Sequence, residues 1–296
     1  MEVGINMKEC LSFGAGVQST TLLLLSCEGR LPKLDNVVFA DTQWEPEAVY
    51  RHLEWCKDHA AKFGINIDVR TNGNLREDLI HSWSGNKIKG DGRTTTSIPA
   101  FIKNHDGSKG LVNRLCTAKY KVDVIERYVR EEVLCLRKRQ RWPLTPSVRQ
   151  WIGISTDEAR RMKRSVRPAQ VMWHPLIESE EIELRDHKSM FHRGWSRNDC
   201  LEWLKSRGYP RPPRSACIGC PFRSNSEWRK LTPSEFADAC DVDRRIRPDL
   251  DKRTSSPLRG DPYLHPSLKP LSEVNFGKDE DNELTWGDEC SGVCGV

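Results

Sequence analysis

Eleven cysteines give this chain its first reactive chemistry. Ser215-Ala216-Cys217-Ile218-Gly219-Cys220-Pro221-Phe222 sets two of them in a CxxC turn behind the stiff spacer Pro210-Arg211-Pro212-Pro213. Two thiolates at that spacing suit a zinc ion or an iron–sulfur cluster, either of which usually takes four ligands. Cys116 is the expected third ligand; the fourth is open between Cys290, Cys294, Cys200 and none. A redox dithiol competes, but Pro221 directly after the pair argues against the helix start that such a motif opens. Cys116 lies in Arg114-Leu115-Cys116-Thr117-Ala118-Lys119-Tyr120-Lys121, where basic neighbours predict a lowered thiol pKa and a good ligand or nucleophile. Glu289-Cys290-Ser291-Gly292 carries a second candidate catalytic thiol, Cys290, with Cys294 behind it. Cys10, Cys27, Cys56 and Cys135 stand among apolar neighbours and read as small core hydrophobes.

A second group of residues suits an anion. Ser12-Phe13-Gly14-Ala15-Gly16-Val17-Gln18-Ser19-Thr20 reads as a strand, a tight turn of small residues and a helix start rich in hydroxyls. Glycines let backbone N–H groups approach a phosphate closely, and the helix start adds positive potential. The pattern is neither GxxxxGK[ST], because the Lys is missing, nor GxGxxG, because Ser19 replaces the third glycine. Asp41-Thr42 ends the next apolar run, Asn36-Val37-Val38-Phe39-Ala40, beside which α/β sheets bind ligands. Gly153 opens the turn Gly153-Ile154-Ser155-Thr156-Asp157-Glu158, and Arg160 beyond it is placed to fork onto a phosphate or sulfonate.

These motifs need a scaffold of alternating strands and helices. Strands are expected over 9–13, 36–40, 65–70, 149–155 and 171–177, and helices over 17–27, 45–63, 119–139 and 196–205. Pro46 and Glu47 mark one helix start, Ser196 caps another, and Thr232-Pro233-Ser234-Glu235 reads as a capping box. That order predicts an α/β fold, a mostly parallel twisted sheet with helices on both faces plus a Cys-containing C-terminal extension. Residues 1–175 are expected as the nucleotide-binding domain, 176–247 as a helical CxxC region packed on it, and 248–296 as an extended tail. Residues 71–111 read as an irregular loop.

Residues 14–20 resemble the SGGxDS signature of the PP-loop, or adenine nucleotide α-hydrolase-like, superfamily, with Gly14 in place of its Ser and Gln18 in place of its Asp. The stretch 11–25 is most similar to the phosphoadenosine phosphosulfate (PAPS) reductase-like branch. Asp41-Thr42 resembles that branch's DTG element, Cys116 with Lys121 its C-T-x-x-x-K segment, Gly153 to Arg160 its G-I-x-x-D-E element, and Glu289-Cys290 its terminal E-C-G. The resemblance implies a nucleotide held by Ser12, Gly14, Ala15, Gly16, Gln18, Ser19, Thr20, Asp41, Thr42, Lys121, Gly153 and Arg160, as ATP with Mg²⁺ or as PAPS or APS. It implies a [4Fe–4S] cluster, or Zn²⁺ instead, on Cys116, Cys217, Cys220 and Cys290. Two activities follow. An ATP pyrophosphatase would adenylate a substrate for sulfur transfer, as phosphorothioation-type proteins of this branch do. A sulfonucleotide reductase would release sulfite after attack by Cys290. A zinc-containing nucleic-acid-binding module is a third reading, drawing on the basic runs 137–141 and 160–167.

Composition narrows the classes. Hydrophobic residues make up 37% and charged residues 30%, with ten Trp to build a core, so a disordered chain is excluded. The longest apolar run is too short to span a bilayer, and no apolar segment follows Met1-Glu2, so a cytoplasmic protein without membrane contact is expected. A net charge of +5 permits an anionic or nucleic-acid substrate. A cysteine desulfurase or thioredoxin-type donor and a homodimer are the further partners expected.

Overall fold

The structure, a computed structural model, describes residues 7–83, 96–104, 106–178, 194–247 and 260–277. Apolar runs set the central layer: β1 (Lys8–Phe13), then α1 (Val17–Cys27), β2 (Asn36–Asp41), α2 (Glu47–Ala61) and β3 (Ile67–Thr71). Every residue of α1 is buried, as its near-continuous apolar sequence demands. α2 buries Val49, His52, Leu53, Cys56 and Ala60, one stripe at helical spacing. α3 (Leu75–Trp83), β4 (Phe101–Asn104) and β5 (Lys109–Leu111) follow. Next comes a helical rod, α4 (Asp123–Tyr128), flanked by π-helical turns at Ala118–Val122 and Val129–Val133. β6 (Val148–Ile152), a 3-10 turn (Thr156–Arg161), β7 (Gln170–Trp173) and α5 (Pro175–Glu178) lead to α6 (Arg197–Ser206), α7 (Asn225–Trp228), α8 (Pro233–Arg245) and β8 (Gly260–Tyr263).

Among the described residues, β3-β2-β1-β6-β7 form one sheet in which every pairing is parallel. The fold is therefore α/β, as expected. Strand alternation divides the side chains between two faces. Leu11, Phe13, Val37, Phe39 and Trp151 pack under α1, α2 and α6. Cys10, Val38, Ala40 and Val148 meet the rod through Val124, Ile125, Tyr128 and Val129. Strand order reverses at β1, so the turns after β1 and β6 flank a crevice at the carboxyl edge of the sheet.

Several expectations need correction. The stretch 71–111 is not one irregular loop: it contains α3 and the strands β4 and β5. β4 pairs antiparallel with β5 and with β8, so residues 260–277 are packed structure rather than extended tail, and Leu264 and Leu271 are fully buried. A sheet closed by a partner about 160 residues away leaves no local trace in sequence. The strand expected over 171–177 stops at Trp173, and Pro175 begins α5. Cys135 is exposed rather than a core residue, whereas Cys200 is buried in the α1–α6 core and is remote from ligand duty. Ser196 and Thr232 do cap α6 and α8, each in a complete capping box. No helix among the described residues is long and apolar enough to cross a membrane.

Candidate functional site

The turn after β1 is built to leave helix amides unspent. Ala15 holds a left-handed φ of 55°, and Gly16, extended at φ −95° and ψ −178°, begins α1 with no capping side chain. The first N–H groups of a helix have no partner within it, so this end offers donors and positive potential to an anion. Ser19 braces the turn from within: its Oγ accepts from Gly14 N–H at 3.2 Å and donates to the Gly16 carbonyl at 3.4 Å. Thr20 faces inward instead, its Oγ1 3.0 Å from His52 Nε2.

The turn after β6 closes against it. A Cβ on Gly153 would meet Ser19 N at 2.9 Å and Gln18 Cβ at 3.2 Å, so only glycine permits this approach. Gln18 is consumed by the clamp between the two turns. Its Nε2 donates to Ser155 Oγ at 3.2 Å and Glu158 Oε2 at 3.3 Å, and its Oε1 accepts from Arg197 Nη1 at 3.1 Å. Gln18 therefore holds the loop's shape, a different duty from the ligand contact expected of it. Arg160 is exposed on the 3-10 turn, while its neighbour Arg161 binds Glu158 at 2.7 Å.

A buried polar cluster lies at the end of β2. Asp41 Oδ1 accepts from Gln43 N at 2.8 Å and from Tyr50 Oη at 2.9 Å, and Gln43 takes a left-handed φ of 56° to turn the chain. Burial and Asp41 both raise the Tyr50 pKa, so the phenol stays a donor. Thr42 Oγ1 donates to Glu45 Oε1 at 3.0 Å and lies 3.3 Å from Cys217 Sγ. Lys121 Nζ is 3.8 Å from the same Glu45 oxygen, with only 7% of the Lys and 1% of the Glu side chain exposed. Glu45 Oε2 is buried without a partner. Burial first, and Glu45 next, push the Cys217 thiol well up, so it stands as a donor to Glu45 Oε1 at 3.5 Å.

The CxxC turn is organised by two residues that sequence reasoning missed. Buried Arg223 donates to the carbonyls of Ala216 at 2.7 Å, Cys217 at 2.9 Å and Ile218 at 3.1 Å. Trp44 packs against Gly219, where a Cβ would come within 2.2 Å of the ring. Ser215, just before the turn, packs on the glycines of the turn after β1: a Cβ on Gly14 or Gly16 would meet it at 3.3 Å. The structure thus brings Thr42, Lys121, Cys116 and Cys217 to one neighbourhood, with Cys116 and Cys217 near enough to raise the thiol pKa of Cys217. Cys290 lies outside the described residues, and the described cysteines form no disulfide. Among the described residues no group of three or more His, Cys, Asp or Glu side chains is gathered to hold a metal, and Cys290, the expected fourth ligand, lies outside them.

Two adjoining clefts open on the rod side of the sheet. The smaller, about 260 Å³ of empty volume, runs between Ser12, Gly14, Phe39, Ala40, Lys121 and Ile125. The larger, about 530 Å³, shares Ser12 and Ile125 with it. Trp44, Glu45, Arg197 and Arg223 are the residues missed as site components. Only Glu45 left a trace, as an acidic residue three positions after Asp41-Thr42 begins to turn. Compared with known proteins, the chain matches no family model and no curated protein.

Proposed function

We propose that this chain is a PP-loop enzyme of the PAPS reductase-like kind that binds ATP at residues 14–20 and cleaves it between the α and β phosphorus atoms. The observation that carries the reading is the uncapped start of α1, braced by Ser19 and wedged by Gly153, at the crevice of a parallel sheet. Lys121, which lines the cleft with Gly14, would set a positive charge against the triphosphate. Mg²⁺ arriving with the nucleotide needs few protein oxygens, and Asp41 at the end of β2 would supply one.

In this reading an acceptor oxygen attacks the α-phosphorus, the bond to the bridging oxygen breaks, and pyrophosphate leaves with the electron pair. Adenylation turns a poor leaving oxygen into AMP. The outer sulfur of a persulfide donor, such as a cysteine desulfurase, then displaces AMP; a second thiol cleaves the acceptor–S–S–donor bond to free the thiolated acceptor, and a thioredoxin-type donor reduces the disulfide left behind. Cys116 and Cys217 would supply the thiols. A groove beside Arg197, with Arg51, Arg211, Arg214 and Lys230 outnumbering Glu47, Glu227 and Glu235 on its walls, is net positive and supports an anionic acceptor such as a nucleic-acid strand.

Sulfonucleotide reduction is the second reading, favoured by Glu289-Cys290. The two divide on products. Pyrophosphate released from ATP upholds the first; sulfite released from PAPS or APS, with ATP untouched, replaces it with the second.

A further inference from the structure

We propose that Asp238, on α8, is a positioning residue for Cys217: it fixes the Trp44 indole, and the indole sets how far the CxxC turn exposes its first thiol. The inference rests on the reading above in which Cys217 supplies a thiol, and it names the element that governs that thiol.

Trp44 joins the CxxC turn to the end of β2. Its backbone carbonyl accepts from Ile218 N–H at 2.8 Å, inside the turn. Its own N–H donates to Thr42 Oγ1 at 3.3 Å, and that hydroxyl lies 3.3 Å from Cys217 Sγ. The benzo edge of its ring, at Cη2, Cζ2 and Cζ3, is what a Cβ on Gly219 would strike. The pyrrole edge is held from α8: Nε1 donates to Asp238 Oδ2 at 2.6 Å. A ring packed on one edge and bonded on the other keeps one orientation, and only 4% of Trp44 is exposed.

Asp238 is itself fixed. Its Oδ1 accepts from Arg76 Nε at 2.6 Å, and Arg76 Nη2 donates to Asp241 Oδ2 at 2.8 Å, so α3 and α8 meet at this carboxylate. An ionised acceptor binds the indole N–H more strongly than a neutral one. The two duties of Asp238 can be separated by substitution. Asp238→Asn keeps an oxygen for the indole and loses the charge that faces Arg76. Arg76→Met loses the ion pair alone, and Asp238→Ala, which favours the helix, loses both bonds.

Maleimide labelling with mass mapping, on the full chain without nucleotide, tests the proposal apart from any cleavage of ATP. Asp238→Ala is expected to raise the rate at Cys217 at least about fivefold, the effect of one hydrogen bond lost. Asp238→Asn and Arg76→Met are expected to stay within twofold of the wild type. A wild-type rate in Asp238→Ala, or an equal rise in Arg76→Met, would overturn the proposal, the latter because general loosening between α3 and α8 would then suffice. Trp44→Phe, which keeps a ring but has no N–H, gives a second test should Asp238→Ala fail to fold. It should raise the rate, and adding Asp238→Asn should raise it no further; a wild-type rate in Trp44→Phe, or a further rise in the double variant, would overturn the proposal.

Discussion

Gly153 and Ser19 stand so close that a Cβ on the glycine would fall 2.9 Å from the serine's backbone nitrogen. The turn after β6 therefore fixes the first turn of α1 by contact. Gly153→Ala is expected to push that turn out of position at a stability cost of about 1–3 kcal/mol, as for other overpacked sites. Tripolyphosphate affinity should fall at least tenfold while the melting point drops only a few degrees. An unchanged affinity in a folded variant would remove this contact from the binding account.

Lys121 and Glu45 form a pair that is almost wholly buried. Removing one partner of such a pair strands the other charge, at about 3 kcal/mol or more. Lys121→Met should lower stability by about that amount in urea denaturation. Adding Glu45→Gln should restore at least half, because the stranded carboxylate is then gone. Additive losses in the double variant would mean that the two side chains do not act on one another.

His52 ties α2 to Thr20 of α1 and meets Cys56 one turn along its own helix, and burial lowers its pKa from 6.5 to about 4. The unfolded chain therefore binds the extra proton more readily between those values. Stability is fully present above pH 6.5 and is lost as pH falls from 6.5 toward 4, by up to about 3 kcal/mol for a shift of this size. Melting points across that range should slope downward with acid in the wild type and less steeply in His52→Gln. Parallel slopes would exclude His52 as the source.

Gly219 faces the Trp44 ring at a distance no side chain can share. Gly219→Ala should lift the CxxC turn off Trp44 and expose Cys217. Maleimide labelling followed by mass mapping should then show Cys217 reacting several-fold faster than in the wild type. No change in rate would show that the turn does not depend on this contact.

Much of the scaffold was legible because its signals are local. Apolar runs marked β1, β2 and β6, and Pro46, Ser196 and Thr232 marked helix starts as expected. The turn at Gly14-Ala15-Gly16 was legible for the same reason. What escaped was long-range. β4 and β8 are neighbours only in space. Arg223 reads as one basic residue among 47 until its guanidinium is seen binding three carbonyls of the CxxC turn. Gln18 looked like a ligand contact because of its place in the motif, yet Ser155, Glu158 and Arg197 claim its amide. Asp238 gave no sign, since its bond to the Trp44 indole joins residues 194 positions apart.

In the proposed reaction ATP held on residues 14–20 is cleaved at its α-phosphorus. The most direct measurement follows the label of α-³²P ATP incubated with the purified full chain and Mg²⁺, alone and with single-stranded nucleic acid as acceptor. Label in AMP or an adenylated acceptor, with equimolar pyrophosphate, is expected, with loss of both in Gly153→Ala. Label in ADP, or intact ATP beside sulfite released from PAPS, would contradict it.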